Sequence, residues 1–183
     1  MRKLKITELN RLSREEFKHS KKIPLIVVLD NVRSLHNVGS IFRTSDAFLV
    51  EAIYLCGITA TPPHAEIHKT ALGAEDTVEW KYFEKTMDAV QELKRDYRYF
   101  IAAEQAENSL SVEKIHLEKY RKYALVFGNE VNGIDQEVMD QCNACIEIPQ
   151  FGTKHSLNVS VSAGIVIWEI AKKLTFKLMK VNS

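Results

Sequence analysis

Three segments hold residues able to bind and orient a polar ligand, and each follows a run that reads as a buried strand. The first comes after LIVVLD and contains Asn37, Gly39 and Arg43 in NVRSLHNVGSIFRTSDAF. Asn37 can cap a helix beginning at Val38, and Gly39 lets another group approach that helix's first turn. Arg43 stands among Ile41, Phe42 and Phe48; a guanidinium in apolar company is costly to bury alone, so it is expected to meet an acid or a phosphate. The second segment is ALVFGNEVNGID. A strand ends at Phe127, and Gly128, Asn129 and Glu130 form a turn closed by Gly133. Two glycines permit backbone beside a ligand and Glu130 adds a negative charge, although a plain turn before a helix capped at Asp135 uses the same residues. The third is IEIPQFGTKHSLNVSVSAGIVIWEI, where a strand stops at Pro149 and Ser156-Leu157-Asn158 opens a final helix. Ser156 is a natural N-cap, and the free N–H groups of a helix start can instead hold a ligand. Small Ala163 and Gly164 nearby suit a polar cofactor tail.

Other chemistries lack their residues. No GxGxxG follows the first strand and no GxxxxGK[ST] occurs, which argues against dinucleotide-type and P-loop sites. His64 and His68 stand four apart in HAEIH, but the metalloprotease pattern needs Glu where Ala65 stands, and no third ligand is matched; no metal is expected. Cys142 and Cys145 form a CxxC with only Cys56 left over, too few thiols for a four-cysteine zinc site. A helix at Gln136–Gln141 leads into a strand at Ala144–Ile148, the reverse of a thioredoxin-like order, so structural cysteines are the favoured reading.

The elements that must position these loops alternate. Strand-like runs lie at Leu25–Leu29, Ala52–Leu55, Val78–Phe83, Tyr99–Ala102, Tyr123–Phe127 and Ala144–Ile148. Helical stretches lie at Val38–Phe48, at Met87–Lys94 behind a Thr86 cap, at Gln136–Gln141 and from Leu157 to about Lys173. Ahead of them, Ser13 and Glu16 form a capping box for a short helix near Arg14, with Leu12 and Phe17 as a staple. The pattern predicts an α/β fold: a mainly parallel sheet with helices on both faces. Such sheets bind ligands outside the carboxyl ends of their strands, where the three loops fall.

The net charge of +1 hides an asymmetry. The first 22 residues hold eight Lys/Arg against three Glu and the last 13 hold four Lys and no acid, so the body between is acidic. Basic ends can contact RNA phosphates or be solvated helices. No apolar run is long enough to span a bilayer and no signal peptide is legible, so no membrane association and a cytoplasmic location are expected.

Together, NxGxxxR after the first strand, FGNExxG after a later one and IPxxGxxxSLNVS before the last helix resemble the three signature motifs of SpoU/TrmH-type RNA ribose 2′-O-methyltransferases of the SPOUT superfamily. The resemblance covers about residues 24–173. It implies a C-terminal deep trefoil knot, S-adenosyl-L-methionine as cofactor and a homodimer with the active site near the subunit interface, the helices after Asn37 and Leu157 being natural interface elements. It implies cofactor contacts at Ala103, Glu104 and Gln105, at Phe127, Gly128, Asn129 and Glu130, at Ile148, Pro149 and Gln150, and at Ser156, Leu157 and Asn158. Arg43 matches the family's catalytic position, with Asn37, Glu130, Ser156 and Asn158 in support. The chain divides into a basic helical extension (1–22), a methyltransferase domain (23–175) and a short basic tail (176–183).

The expected reaction is methyl transfer to a ribose 2′-hydroxyl of structured RNA. A guanidinium stays protonated in proteins, so a two-point phosphate anchor is the preferred reading of Arg43, with a role as literal base left open beside it. Because few residues precede the first strand and both ends are basic, tRNA is favoured as substrate over rRNA. Two further readings stay open: a non-catalytic RNA-binding protein on the same scaffold, and a redox or zinc protein using Cys142 and Cys145.

Overall fold

The run IPLIVVLD forms β1 (Ile23–Asp30), and its apolar residues on both sides of the pleat are covered on both sides. Leu25, Val27 and Leu29 face a core shared with α2 (Leu35–Ala47), α3 (Ala65–Ala71) and α6 (Val159–Met179). Ile26 and Val28 face a second core with α4 (Thr86–Arg95) and α5 (Gln136–Met139). The computed structural model describes residues 1–179.

Six further strands join β1: β2 (Val50–Cys56), β3 (Glu79–Phe83), β4 (Tyr99–Ala103), β5 (Leu110–Ser111), β6 (Tyr123–Phe127) and β7 (Ala144–Glu147). Their order is β3-β2-β1-β6-β4-β7-β5, with every pair parallel. The carboxyl ends of β1, β6, β4 and β7 therefore lie side by side, and the three chemistry-bearing loops leave from that edge. The α/β class, the parallel sheet and helices on both faces agree with expectation.

Element ends differ where a side chain found another partner. Asn37 is not the cap of α2: Ser34 is, its hydroxyl accepting from Asn37 N at 3.3 Å. Ser156 lies outside α6, which begins at Val159; Asn158 caps it, Oδ1 accepting from Ser160 N at 2.9 Å. Thr86 is the first residue of α4 rather than its cap, and its hydroxyl donates to buried Asp30. Asp135 holds the N-cap position of α5 without a side-chain bond to it. The capping box at Ser13 and Glu16 starts α1 (Arg14–His19), which docks through Phe17, while Leu12 is half-exposed. The expected basic tail is helical through Met179, and Lys180–Ser183 lie outside the described residues.

Among the strands and α-helices of the described residues, β5 and α3 were not anticipated. A Cβ on Gly39 would stand 2.3 Å from the Ile67 carbonyl oxygen, so the glycine lets α3 cross α2 and admits no ligand. His64 Nδ1 caps α3 by accepting from Glu66 N at 3.1 Å, and His68 pairs with Glu75; the two histidines serve different ends of one helix turn.

Candidate functional site

The loops after β4, β6 and β7 and the first turns of α6 enclose a cleft of about 370 Å³. Of the thirteen cofactor positions expected, it is lined by every one except Pro149, which is exposed. Gly133, Glu147, Ser162 and Val166 line it as well. Asn158, Ser162 and Val166 stand at i, i+4 and i+8 on one face of α6, a spacing legible in the sequence once the start of the helix is known. Glu147 was read only as part of a strand; an acid at a strand's carboxyl end was the available signal. Gly164 does not line the cleft.

The turn after β6 is closed by backbone. Asn129 N donates to Gly133 O and Gly133 N to Asn129 O, both at 2.9 Å. A Cβ on Gly128 would fall 2.1 Å from the Gly133 carbonyl carbon, so only glycine fits there. Gly133 has φ +71°, and the next residue's Ile134 N donates to Glu104 Oε2 at 3.2 Å, which ties this turn to the β4 loop. Gln105 Nε2 donates to His155 O at 3.0 Å, tying the β4 loop to the one before α6.

Glu130 joins the turn to the β1–α2 loop. Its carboxylate accepts from Arg33 N, Ser34 N and Asn37 Nδ2, each at 2.9 Å. Asn37 Oδ1 then accepts from Asn158 Nδ2 at 3.0 Å, and Asn158 Oδ1 accepts from the start of α6. The direction of this chain is fixed at both ends. A carboxylate only accepts and helix N–H groups only donate, so both asparagine amides have one satisfying orientation. Partial burial works to raise the Glu130 pKa, but the three donors outweigh it and hold the carboxyl below its ordinary 4.5. Glu130→Gln puts an amide NH₂ against one of these donors and should cost about 0.5–1 kcal/mol, since the carboxylate is exposed and solvent screens it. Because the folded pKa lies below the unfolded one, this contribution is present above about pH 4.5 and is lost as pH falls through the folded value. Thermal melts of both proteins should differ near neutral pH and converge on acidification below 4.5; a constant difference would remove the charge from the account.

Behind Glu130 lies a buried brace. Asp30, fully buried, accepts from Thr86 Oγ1, from Asp135 N at 2.9 Å and from Asn31 Nδ2 at 3.1 Å. Burial pushes its carboxyl pKa up. Asn31, at φ +57°, accepts through its carbonyl from Asn129 Nδ2 at 2.8 Å, so β1's end positions the β6 turn. The sequence reading missed both residues; an acid and an asparagine ending a buried strand were their signal.

Arg43 stands apart from this network. It is exposed on α2, no acid lies within ion-pair distance among the described residues, and it lines a shallow depression with Ser40, Thr44, Ala47, Phe48, Lys69 and Thr70. The expectation of an apolar setting fails because Ile41 and Phe42 turn into the core while Arg43 turns out. The thiols of Cys142 and Cys145 donate to different carbonyls, of Val138 and Glu104, and burial pushes both pKa values up, Cys142 to about 12. Neither is a reactive thiolate.

The charge of the cleft selects its ligand. Glu104, Glu130 and Glu147 line it, with no Lys, Arg or His, beside apolar Ile146, Ile148, Leu157 and Val166. Acids and an apolar wall suit an organic cation and disfavour phosphates. No helix among the described residues is long and apolar enough to cross a membrane.

Residues 24–168 match the SpoU rRNA Methylase family. The chain is 32% identical over 158 residues to a 23S rRNA (guanosine-2′-O-)-methyltransferase RlmB of Neisseria meningitidis, covering 86% of this chain and 62% of that protein. It is 35% identical over 145 residues to the protein of that name from Nitrosomonas europaea, covering 79% and 55%. The chain thus spans only about 55–62% of the length of these relatives. Among solved structures, the A. aeolicus TrmH/SpoU tRNA modifying enzyme superposes with TM-score 0.78 at 28% identity, covering 91% of this chain and 82% of that one. An AdoMet-bound rRNA methyltransferase from Sinorhizobium meliloti superposes with TM-score 0.78 at 28% identity, covering 90% and 62%. A match of the family over most of the chain, on a fold shared with these structures, places the protein in the SpoU rRNA methylase family.

Proposed function

We propose that the protein transfers a methyl group from S-adenosyl-L-methionine to a ribose 2′-hydroxyl of RNA, with ribosomal RNA the first candidate substrate. The observation that supports this best is the acidic, partly apolar cleft that the second and third motifs build with the β4 loop. When bound, S-adenosylmethionine supplies an electrophilic methyl carbon on a sulfonium. Glu104 and Glu147 would hold its cationic part, and the apolar residues on α6 and after β7 its ring. The names of the relatives, 23S rRNA guanosine-2′-O-methyltransferases, favour rRNA over the tRNA read from the sequence. The A. aeolicus tRNA modifying enzyme keeps tRNA as the second arm of the test.

Glu130 is a positioning residue in this reading. Its lone pairs are engaged by three N–H groups and its pKa is lowered, which makes it a poor base. Asn37 and Asn158 fix the first turn of α6 against α2. Arg43 binds the target phosphate and sets the 2′-hydroxyl in line, and the proton leaves to phosphate or water. A cleft of three acids repels RNA by itself, so a separate cation is required.

Arg43 and the cleft are separate on one chain, and a homodimer would unite them. Val161, Ile165 and Trp168 form an exposed stripe on α6, and a Cβ on Gly164 among them would meet nothing within 4 Å. Trp168 packs on Phe48 with ring centroids 5.5 Å apart, and Phe48 also lines the Arg43 depression. That continuous face suits a second copy; light scattering of the wild type should give a dimer mass, and a monomer at all concentrations would overturn it. The trefoil knot, with the chain after β7 drawn through the loop after β6, and a cytoplasmic location belong to the same proposal.

Cofactor binding is testable without RNA. At 100 times its dissociation constant S-adenosylmethionine adds about 2.7 kcal/mol, which for a chain of this size raises the melting temperature by roughly 5–10 °C. ATP and NAD should give no shift in the acidic cleft. A folded sample that responds to ATP and not to S-adenosylmethionine would refute the reading.

A further inference from the structure

At the amino-terminal edge of the sheet, on the side away from the cleft, two sequence segments of one character meet. KRDYR (94–98) precedes β4 and EKYRK (118–122) precedes β6. Together they hold six Lys/Arg and two acids within a body that is acidic as a whole. Parallel pairing of β4 with β6 aligns Tyr99 with Tyr123, and Tyr99 N donates to Lys122 O at 2.9 Å, so the two segments are neighbours. Tyr97 is 90% exposed and Tyr120 is 87% exposed. Lys119 lies over the Tyr120 ring at 5.2 Å and Arg121 over the Tyr99 ring at 4.8 Å. Arg98, buried beneath, is clamped by Glu51 and Asp96 and makes a rigid floor.

Tyr97 is also in an unfavourable conformation. Tyr97 N donates to Lys94 O at 3.0 Å and Arg98 N to Leu93 O at 3.3 Å, the two bonds of a Schellman motif closing α4. Its φ of +55° is one that glycine adopts readily and an aromatic residue does not. The ring held there is 90% exposed, so its faces are open to a partner.

We propose that Tyr97 and Tyr120, with Arg95 and Lys119 beside them, form a second RNA contact: a platform on which unpaired bases stack while these two cations meet the flanking phosphates, Arg121 and Lys122 being paired with Glu118 and Asp96. Aromatic faces beside cations are what single-stranded nucleic acid requires, and stacking is tolerant of sequence. Every base has a π-face, so the platform would anchor an unpaired segment of the substrate and leave choice of the target to the cleft. The proposal rests on the RNA-substrate reading above.

The test is fluorescence anisotropy of a labelled 12-nucleotide oligouridylate with the full chain. Tyr97→Gly combined with Tyr120→Ala should weaken binding by roughly 10- to 100-fold. Tyr97→Gly alone should melt at or above the wild-type temperature, because glycine relieves the positive φ, so its weaker RNA binding cannot be ascribed to unfolding. Tyr97→Phe should retain binding. Arg95→Glu with Lys119→Glu should flatten the salt dependence by about 1.4 in log–log slope, roughly 0.7 for each phosphate that is no longer neutralised. None of these variants should alter the thermal shift with S-adenosylmethionine, so failure of the methyltransferase reading shows separately, as a wild type without that shift. A wild type that does not bind the oligonucleotide overturns the platform. So do tyrosine variants that bind as the wild type does, which would leave the surface to a protein partner.

Discussion

Replacing Arg43 by alanine is expected to lower methyl transfer by on the order of a thousandfold, as removal of a transition-state interaction does. Cofactor affinity should stay within about threefold, a difference of less than 1 kcal/mol, because Arg43 lies outside the cleft proposed to hold the cofactor. Exposure sharpens this expectation. No ion pair or hydrogen bond of the described structure depends on the guanidinium, so Arg43→Ala should melt with the wild type. Arg43→Lys should restore little, since an ammonium keeps the charge and loses the planar two-point grip. Paired calorimetric titration and tritium-methyl assays on one preparation decide the matter. Normal activity in Arg43→Ala would remove the arginine from the mechanism; lost cofactor binding would show that it reaches the cleft.

Gly128→Ala should fail in the opposite way. The added Cβ meets the Gly133 carbonyl carbon at 2.1 Å, and both are backbone, so neither can turn aside. The two Asn129–Gly133 bonds open, and with them the placing of Glu130 against Asn37. Loss of the two turn hydrogen bonds at about 1 kcal/mol each, with some strain, gives roughly 2–3 kcal/mol, or a melting point lower by about 4–12 °C. The variant should still fold, and the shift with S-adenosylmethionine should disappear. Gly152→Ala in the β7 loop is the comparison, since a Cβ there meets nothing within 4 Å. If Gly128→Ala keeps the full cofactor shift, the β6 turn does not shape the cleft as described.

The parallel sheet was legible because its strands are buried on both faces and so read as unbroken apolar runs; LIVVLD could hardly be anything else. Two walls of the cleft were legible because the loops after β6 and β7, with their glycine and amide residues, each follow such a run; the β4 wall came only from the resemblance, and the loop after β1 does not line the cleft. The exact partners were not legible. Asn37 and Ser156 are good capping residues by type, yet Ser34 and Asn158 do the capping. Capping is local, whereas the Glu130–Asn37–Asn158 chain joins residues 93 and 121 positions apart, and no local rule sees it. Arg43 was misjudged for the same reason. Its neighbours in sequence are core residues, but on a helix adjacent residues face different ways. Gly39 was legible as a point of close approach, but not that the group approaching it is α3. Tyr97 was invisible to pattern altogether, since only the backbone shows a tyrosine where a helix end favours glycine.

The central claim is tested by where the methyl group lands. The full chain is incubated with tritium-methyl S-adenosylmethionine and either ribosomal RNA or total tRNA lacking the modification, and the product is hydrolysed in alkali. Alkaline cleavage needs a free 2′-hydroxyl, so a 2′-O-methylated ribose survives inside a dinucleotide. The account predicts label in alkali-resistant dinucleotides, first from ribosomal RNA, and none with Arg43→Ala. Label released as mononucleotides, which marks methylation of a base, or no label in any RNA from a protein that binds the cofactor, would contradict it.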